Sequence, residues 1–324
     1  MDELTNFKNI IGVSTGDSAN MLGKFLYFSL SNILVERERL SELCKGIGIS
    51  YAGDKRVPVS DAFRSATGDI RQRIVTKESG ETRIYQVYCR DNKQDSGLLS
   101  RELVKETVGR LSNTYEKLAN IQYDKEDLRF GYDNLVYDPD VDAMTCCRRA
   151  EELFELYQRC ANRKQLETIC IGFMRSIEAT KINGNGHLYF VPRLYMEKVD
   201  IFEDFIALVD KENKNDTSLT CNSFYIIDDE KQRSKMTEEF YSAVKKEIAE
   251  YQERAAYFID TGSQSPAVME RWAIKIEALE EKKRHYEEVL WRELDGLDEE
   301  FDTLRFLGQE LSARARNIRF QKAA

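Results

Sequence analysis

The sequence predicts an α+β protein, predominantly helical, with a small mixed β-sheet body and a long antiparallel coiled-coil helical hairpin at the C-terminal end. Three observations lead there. Apolar residues recur at three- and four-residue spacing over much of the chain, which marks amphipathic helices. Short β-branched and aromatic runs bounded by turn residues interrupt that pattern in the first two thirds. From Met236 to Phe320 the helical spacing is nearly unbroken, divided only by the connector Asp260-Thr261-Gly262-Ser263-Gln264-Ser265-Pro266.

The elements follow in order. Asp17 and Ser18 offer capping oxygens to a helix carrying Leu22, Phe25, Leu26, Leu30, Ile33, Leu40 and Leu43, stopped by Gly46 and Gly48. A small helix starts near Ser60-Asp61 and ends at Gly68. The runs Arg73 to Thr76 and Thr82 to Cys89, joined by Lys77-Glu78-Ser79-Gly80, form a hairpin. From Ser100, the series Val104, Val108, Leu111, Tyr115 and Leu118 predicts a helix of about six turns. Two more helices run from Val141 to Cys160 and through Leu166, Phe173 and Ile177, the second broken at Asn183-Gly184-Asn185-Gly186. His187 to Val191 and Leu219 to Ile227 read as strands flanking a helix with Val199, Phe202 and Val209. That order predicts a crossover with two parallel strands. Three consecutive parts are expected: an α/β part over 1–130, a helix-rich part with the crossover over 131–234, and the arm over 235–324.

Within the arm, the second pattern covers about 50 residues, roughly 75 Å of helix. Its extra four-residue step from Leu290 to Leu294 is a stutter that locally unwinds a supercoil. Lys283 and Gly308 fall on the seam. The first helix is only half as long, so the stripe from Asp295 to Phe320 is expected to find its cover on the body or on another chain.

Composition narrows the function. The 324 residues are 42% apolar and 32% charged with 4 Pro and 17 Gly, ordinary for a folded, helix-rich protein. A net charge of −9 argues against a globally cationic nucleic-acid binder. The start lacks a signal-peptide pattern, and Met21 to Val35 is too short and too polar to span a membrane. Seven cysteines at irregular spacing read as free thiols in a reducing cytoplasm, so the expected location is cytoplasmic.

Each chemical motif competes with a plainer reading. Phe258-Ile259-Asp260-Thr261-Gly262-Ser263 matches an aspartic-protease string, but it falls at a helix end, where a connector is expected. Asp138, Asp140 and Asp142 alternate like the start of a calcium loop, yet Ala143 stands where glycine is needed and Arg149 where the bidentate glutamate is needed, so a capping role is expected. Only His187 and His285 exist, which removes the three-histidine zinc sites; His187 is the better candidate for chemistry and His285 reads as a solvated helix face. No phosphate-binding glycine loop is present. No cofactor, metal or catalytic set is assigned. The candidate partner-binding residues are Arg64, Ser65, Thr67 and Asp69 in the polar segment Asp61 to Asp69, and the C-terminal cations Arg314, Arg316, Arg319 and Lys322. A second basic group is Arg148, Arg149, Arg159, Arg163 and Lys164.

The strings V-S-D-A-F-R-S-A-T-G-D-I (Val59 to Ile70), Y-C-R-D (Tyr88 to Asp91) and G-H-L-Y-F-V-P (Gly186 to Pro192) resemble a family of uncharacterised proteins from Gram-positive bacteria, their phages and other mobile elements. The resemblance implies a genomic setting and no catalytic residues. The expectation is a non-enzymatic interaction protein binding a host or defence-system complex, for example an anti-CRISPR or a nuclease inhibitor. The alternatives are a nucleic-acid-binding protein of phage or plasmid maintenance and a carboxylate-dependent hydrolase using Asp69 or Asp260. Self-association through the last helix is also open; a membrane partner is not expected.

Overall fold

A computed structural model of the chain describes residues 12–13, 21–49, 51, 57–78, 81–92, 97–108, 114–182, 186–215, 217–261, 265–294 and 296–323. The chain forms two compact units in place of three consecutive ones. One, here the bundle unit, takes the described parts of 1–31, 167–210 and 218–324; the other, the meander unit, takes 32–166 and 211–217. A boundary at 130 would cut the strand Arg129–Asp133 from its sheet.

The bundle unit is built on a five-stranded antiparallel sheet. Its central strand β2 (Met21–Ser29) lies between β11 (His187–Pro192) and β12 (Thr220–Ile227); β1 (Gly12–Val13) and β10 (Thr180–Lys181) flank these. The expected helix over Leu22 to Leu43 is therefore a correction. That stretch is β2, a short β3 (Leu34–Glu36) paired with β9 (Cys160–Asn162), and only then α1 (Arg37–Gly46); the helix expected through Leu166 and Phe173 is α4 (Arg163–Ser176), and Asp17 and Ser18 lie outside the described residues. The reason is that β2 is covered on both faces. Leu22 and Phe25 join the core formed with the C-terminal helices, and Phe28 meets Phe202 of α5 (Met196–Lys211) at 5.5 Å between ring centroids. A strand without a wet face loses its alternation and reads as a helix.

The two strands of the expected crossover are parallel, since β11 and β12 both run antiparallel to β2, and α5 joins them; β2 lies between them in the sheet. Neither is in the sheet that holds the predicted hairpin.

At the C-terminal end, α6 (Glu230–Asp260) starts at an Asp229 side-chain cap on Gln232. The expected 50-residue helix is two helices, α7 (Pro266–Leu290) and α8 (Asp298–Ala323). Trp291 turns left-handed with φ 53°, and the Arg292 N–H reaches back to the Glu287 carbonyl at 3.2 Å, closing a Schellman-type end. Gly296 supplies the second left-handed residue with φ 87°. The helical spacing survives the turn because Leu290, Leu294 and Leu297 are all buried in the same core as Met236, Phe240, Leu279 and Phe301. What looked like a stutter is a chain reversal. The stripe on α8 is covered by α6 and α7 of the same chain: Leu311 and Ala315 pack with Ala255 and Met269. At the seam, Gly308 leaves room for Ile276, and Lys283 bridges to Asp298 at 3.0 Å.

The meander unit holds the antiparallel sheet β4-β5-β6-β7-β8, with β4 Arg71–Glu78, β5 Glu81–Asp91, β6 Leu98–Thr107, β7 Thr114–Asp124 and β8 Arg129–Asp133. The β4–β5 hairpin is as expected, its Ser79-Gly80 turn lying outside the described residues. The helix expected from Ser100 is β6 and β7. A register shift between Leu103 and Val104 puts both side chains inside, and with Leu118 this imitates helical spacing; Val108 and Tyr115 are exposed. Helices α2 (Val59–Gly68) and α3 (Ala143–Arg159) cover the inner face through Ala62, Phe63, Ala66, Cys147, Ala150 and Phe154. The segment 211–217 is tied to this unit by the Asn213 side chain on the Leu34 N–H and by Lys214 N–H on the Leu34 carbonyl.

Lys105 on β6 is nearly buried, and its ammonium sits 2.8 Å from Asp138 and 2.9 Å from Asp140. Burial opposes the charge on both Lys105 and Asp138. Their mutual hydrogen bonds, with the N–H groups of Asp140 and Val141 on Asp138, outweigh it, raising the lysine and lowering the carboxyl. Asp142 caps α3 through the Thr145 N–H. Lys105→Met leaves Asp138 buried without its cation and is expected to cost about 3 kcal/mol at neutral pH in urea unfolding. Because the folded-state Asp138 carboxyl is depressed, the pair's contribution is present above its ordinary value near ~3.9 and lost on acidification. The gap between wild type and variant should therefore narrow below about pH 4.

Candidate partner-binding groove

The side chains singled out by sequence are largely committed within the fold. Asp69 accepts from the Tyr157 hydroxyl at 2.6 Å and the Asn32 amide at 2.8 Å. Thr67 is buried, donates to the Phe63 carbonyl and accepts from Arg101 at 3.1 Å. Arg64 is exposed and Ser65 half-buried on the same helix. The segment is a helix end held by Asp69.

The C-terminal cations lie on α8 in the other unit. Arg314 is fixed on Glu310 and on the Ile259 carbonyl at 2.6 Å, and Arg319 on Glu270 at 2.6 Å. Arg316 is exposed, bonded only to the Ser312 carbonyl among the described residues, and Lys322 lies in the last turn. Asp260 is the final residue of α6, Thr261 caps it on the Tyr257 carbonyl, and Pro266 opens α7. Gly262 and Ser263 lie outside the described residues.

The concavity that the sequence did not announce is in the meander unit. An open groove of about 1700 Å³ is lined by the consecutive residues Asp127, Leu128, Arg129, Phe130, Gly131 and Tyr132, by Glu151, Phe154, Glu155, Gln158 and Arg159 of α3, and by Glu36 to Glu38 with Val57, Val59 and Tyr123. Small-molecule pockets are smaller, about 300–1,000 Å³. Local chemistry explains the frame. The β7–β8 turn is fixed by Asp124, whose carboxylate accepts the N–H groups of Glu126 and Asp127, and Leu128 adopts φ 52° with its side chain 72% exposed. Residues 151, 154, 155 and 158 recur at helical spacing and so form one face of α3. Phe130 packs on Phe154 at 5.3 Å and on Phe63 at 5.9 Å, which seats β8 against the core.

A second constellation was also missed, in the bundle unit. Glu178 has φ 52°, and both its carboxylate oxygens lie 2.9 Å from His285 Nδ1. The Tyr195 hydroxyl donates to it at 3.0 Å; burial, then this bond, pushes that phenol up to about 12. His285 is thus a paired residue, a correction to its reading as a solvated face. Beside it Tyr286, fully buried, donates to the Glu178 carbonyl at 2.9 Å and accepts from Thr180 at 2.8 Å. Lys282 donates to the Ala179 carbonyl, and burial lowers its pKa. This cluster ties α7 to the turn before β10 and holds a strained glutamate. A left-handed glutamate leaves no mark in sequence, so no local signal could have found it. His187, the other histidine, stacks on Phe28 at 4.5 Å and faces Glu167.

These features define a mixed α/β protein of two units with an open groove beside an edge strand. Among the described residues no cluster of three or more His, Cys, Asp or Glu is arranged to hold a metal, and no helix is long and apolar enough to cross a membrane. The chain belongs to a family of unknown function, DUF6744, whose model matches residues 21–317. No curated protein and no solved structure matches it.

Tyr286→Phe removes the acceptor of a Thr180 hydroxyl that is only 2% exposed and the donor to Glu178. The expected loss is about 2 kcal/mol in denaturant unfolding, with binding at the groove of the other unit unchanged.

Proposed function

We propose that this chain is a non-enzymatic interaction protein that acts by occupying a macromolecular partner, and that the groove beside β8 is the surface that meets it. The observation that carries this reading is an open, partly aromatic groove formed along the last strand of a sheet. Past β8, the chain leaves Leu135, Val136 and Tyr137 exposed at 41, 50 and 90%. A run of exposed apolar residues is the kind of surface proteins cover on association. The motif resemblance to proteins of phages and mobile elements makes a host or defence-system complex, such as a CRISPR-type or nuclease complex, the partner class to test first. The role is then counter-defence by stoichiometric binding.

The nucleic-acid reading of the tail draws less support. Two of its arginines are already paired with carboxylates of the same chain, and releasing them would offset part of any phosphate attraction.

Affinity capture from Gram-positive cell extracts, with the full chain as bait, tests the reading. Glu151→Arg with Glu155→Arg should lose the captured protein while keeping the wild-type circular dichroism and melting profile; Arg316→Glu with Arg319→Glu should retain it. Capture that survives the groove substitutions, or that disappears on nuclease treatment, overturns the proposal.

A further inference from the structure

We propose that the groove takes an extended, basic segment of a protein partner, which adds to the meander sheet as a sixth strand on the free edge of β8. This deepens the reading above and rests on it.

Side chains alternate across a strand, so a concavity on one face of β8 would be lined by every second residue. Here Arg129, Phe130, Gly131 and Tyr132 line it consecutively, so the groove runs along the strand's edge. β8 is last in the order β4-β5-β6-β7-β8, and among the described residues no strand pairs with its outer side. The backbone groups on that side are the template that strand addition uses.

Gly131 supports the same placement. A Cβ built there meets nothing within 4 Å, and its φ is not in the left-handed region, so neither packing nor conformation requires glycine. Glycine weakens a strand interior, and one use that offsets the cost is the close approach of another backbone. Among the described residues the lining carries five carboxylates against three guanidinium groups, and the two Nη groups of Arg37 are spent on the carbonyls of Tyr157, Gln158 and Cys160. Among the described residues the carboxylates of Glu38, Asp127, Glu151 and Glu155 make no ion pair with a basic side chain. Lysine or arginine on an incoming strand would supply those partners, while the rings of Phe130 and Tyr132 receive its apolar side chains. Arg129 disfavours an indiscriminate apolar strand, as charges on sheet edges do.

A displayed library of random peptides, panned against the intact chain, provides the probe. Enriched sequences should alternate lysine or arginine with β-branched or aromatic residues. A synthetic copy of the most enriched one should bind with an affinity that falls as salt is raised. Methylating alternate backbone amides of that peptide should weaken binding by at least about tenfold in one set and little in the other, because only one set faces β8. Gly131→Trp should abolish binding without lowering the melting temperature.

No enrichment, enrichment of acidic or helical peptides, or equal effects of the two methylation sets overturns strand addition. A concentration-dependent dimer dissociated by Gly131→Trp overturns it too, since the occupant would then be a second copy of this chain. The two proposals fail separately. Loss of partner capture in the Glu151→Arg, Glu155→Arg variant with no basic peptide selected leaves the groove reading standing and removes the strand. Capture indifferent to those substitutions removes both.

Discussion

The bundle unit depends on burying β2 from two sides at once. Its residues Leu22, Phe25, Leu26 and Phe28 are at most 1% exposed, and of its large side chains Tyr27 alone stays open to water, at 41%. Each fully buried side chain of this size contributes about 1.5–3 kcal/mol by leaving water, but only if both layers are present. One layer contains α5, through the Phe28–Phe202 contact, and the other is the C-terminal helices. The C-terminal helices are therefore not an arm that projects from a finished body. They are the lid of its core.

The meander unit solves a smaller problem with one layer of helices and leaves its sheet edge open. β8 is anchored by Phe130 while its neighbours Arg129 and Asp133 stay in water. A buried cation, Lys105, is held by two carboxylates from the segment that leads into α3. That clamp orders the chain immediately after the exposed residues Leu135 to Tyr137. Order beside an open edge is what an interaction surface needs, since each side chain fixed in advance lowers the entropy cost of binding.

Much of the fold was legible where the signals are local. Helix α2 with Gly68 at its end, the β4–β5 hairpin, α3 behind Asp142, α5, β11 closed by Pro192 and the connector at Pro266 all follow from caps, turns and short-range periodicity. The failures share a physical cause: apolar spacing records burial, not backbone conformation. Burial on both faces made β2 look helical, a register shift did the same for β6 and β7, and three buried leucines carried helical phase through the reversal at Trp291. The groove was invisible for another reason. It is lined by residues 36–38, 57, 59, 123 and 127–132 with one face of α3, which only the tertiary fold assembles, and the strand that frames it, R-F-G-Y-D, is too short to stand out from turn-rich surroundings.

The placement of β2 also sets an order of events. Its two neighbours in the sheet, β11 and β12, are encoded after nearly all of the meander unit, and its cover from α6 to α8 comes later still. During synthesis this deeply buried strand therefore waits, both edges unpaired, while residues 32–166 emerge and can collapse on local contacts. Production of this protein should thus be limited by protection of one nascent strand rather than by the final stability of either unit.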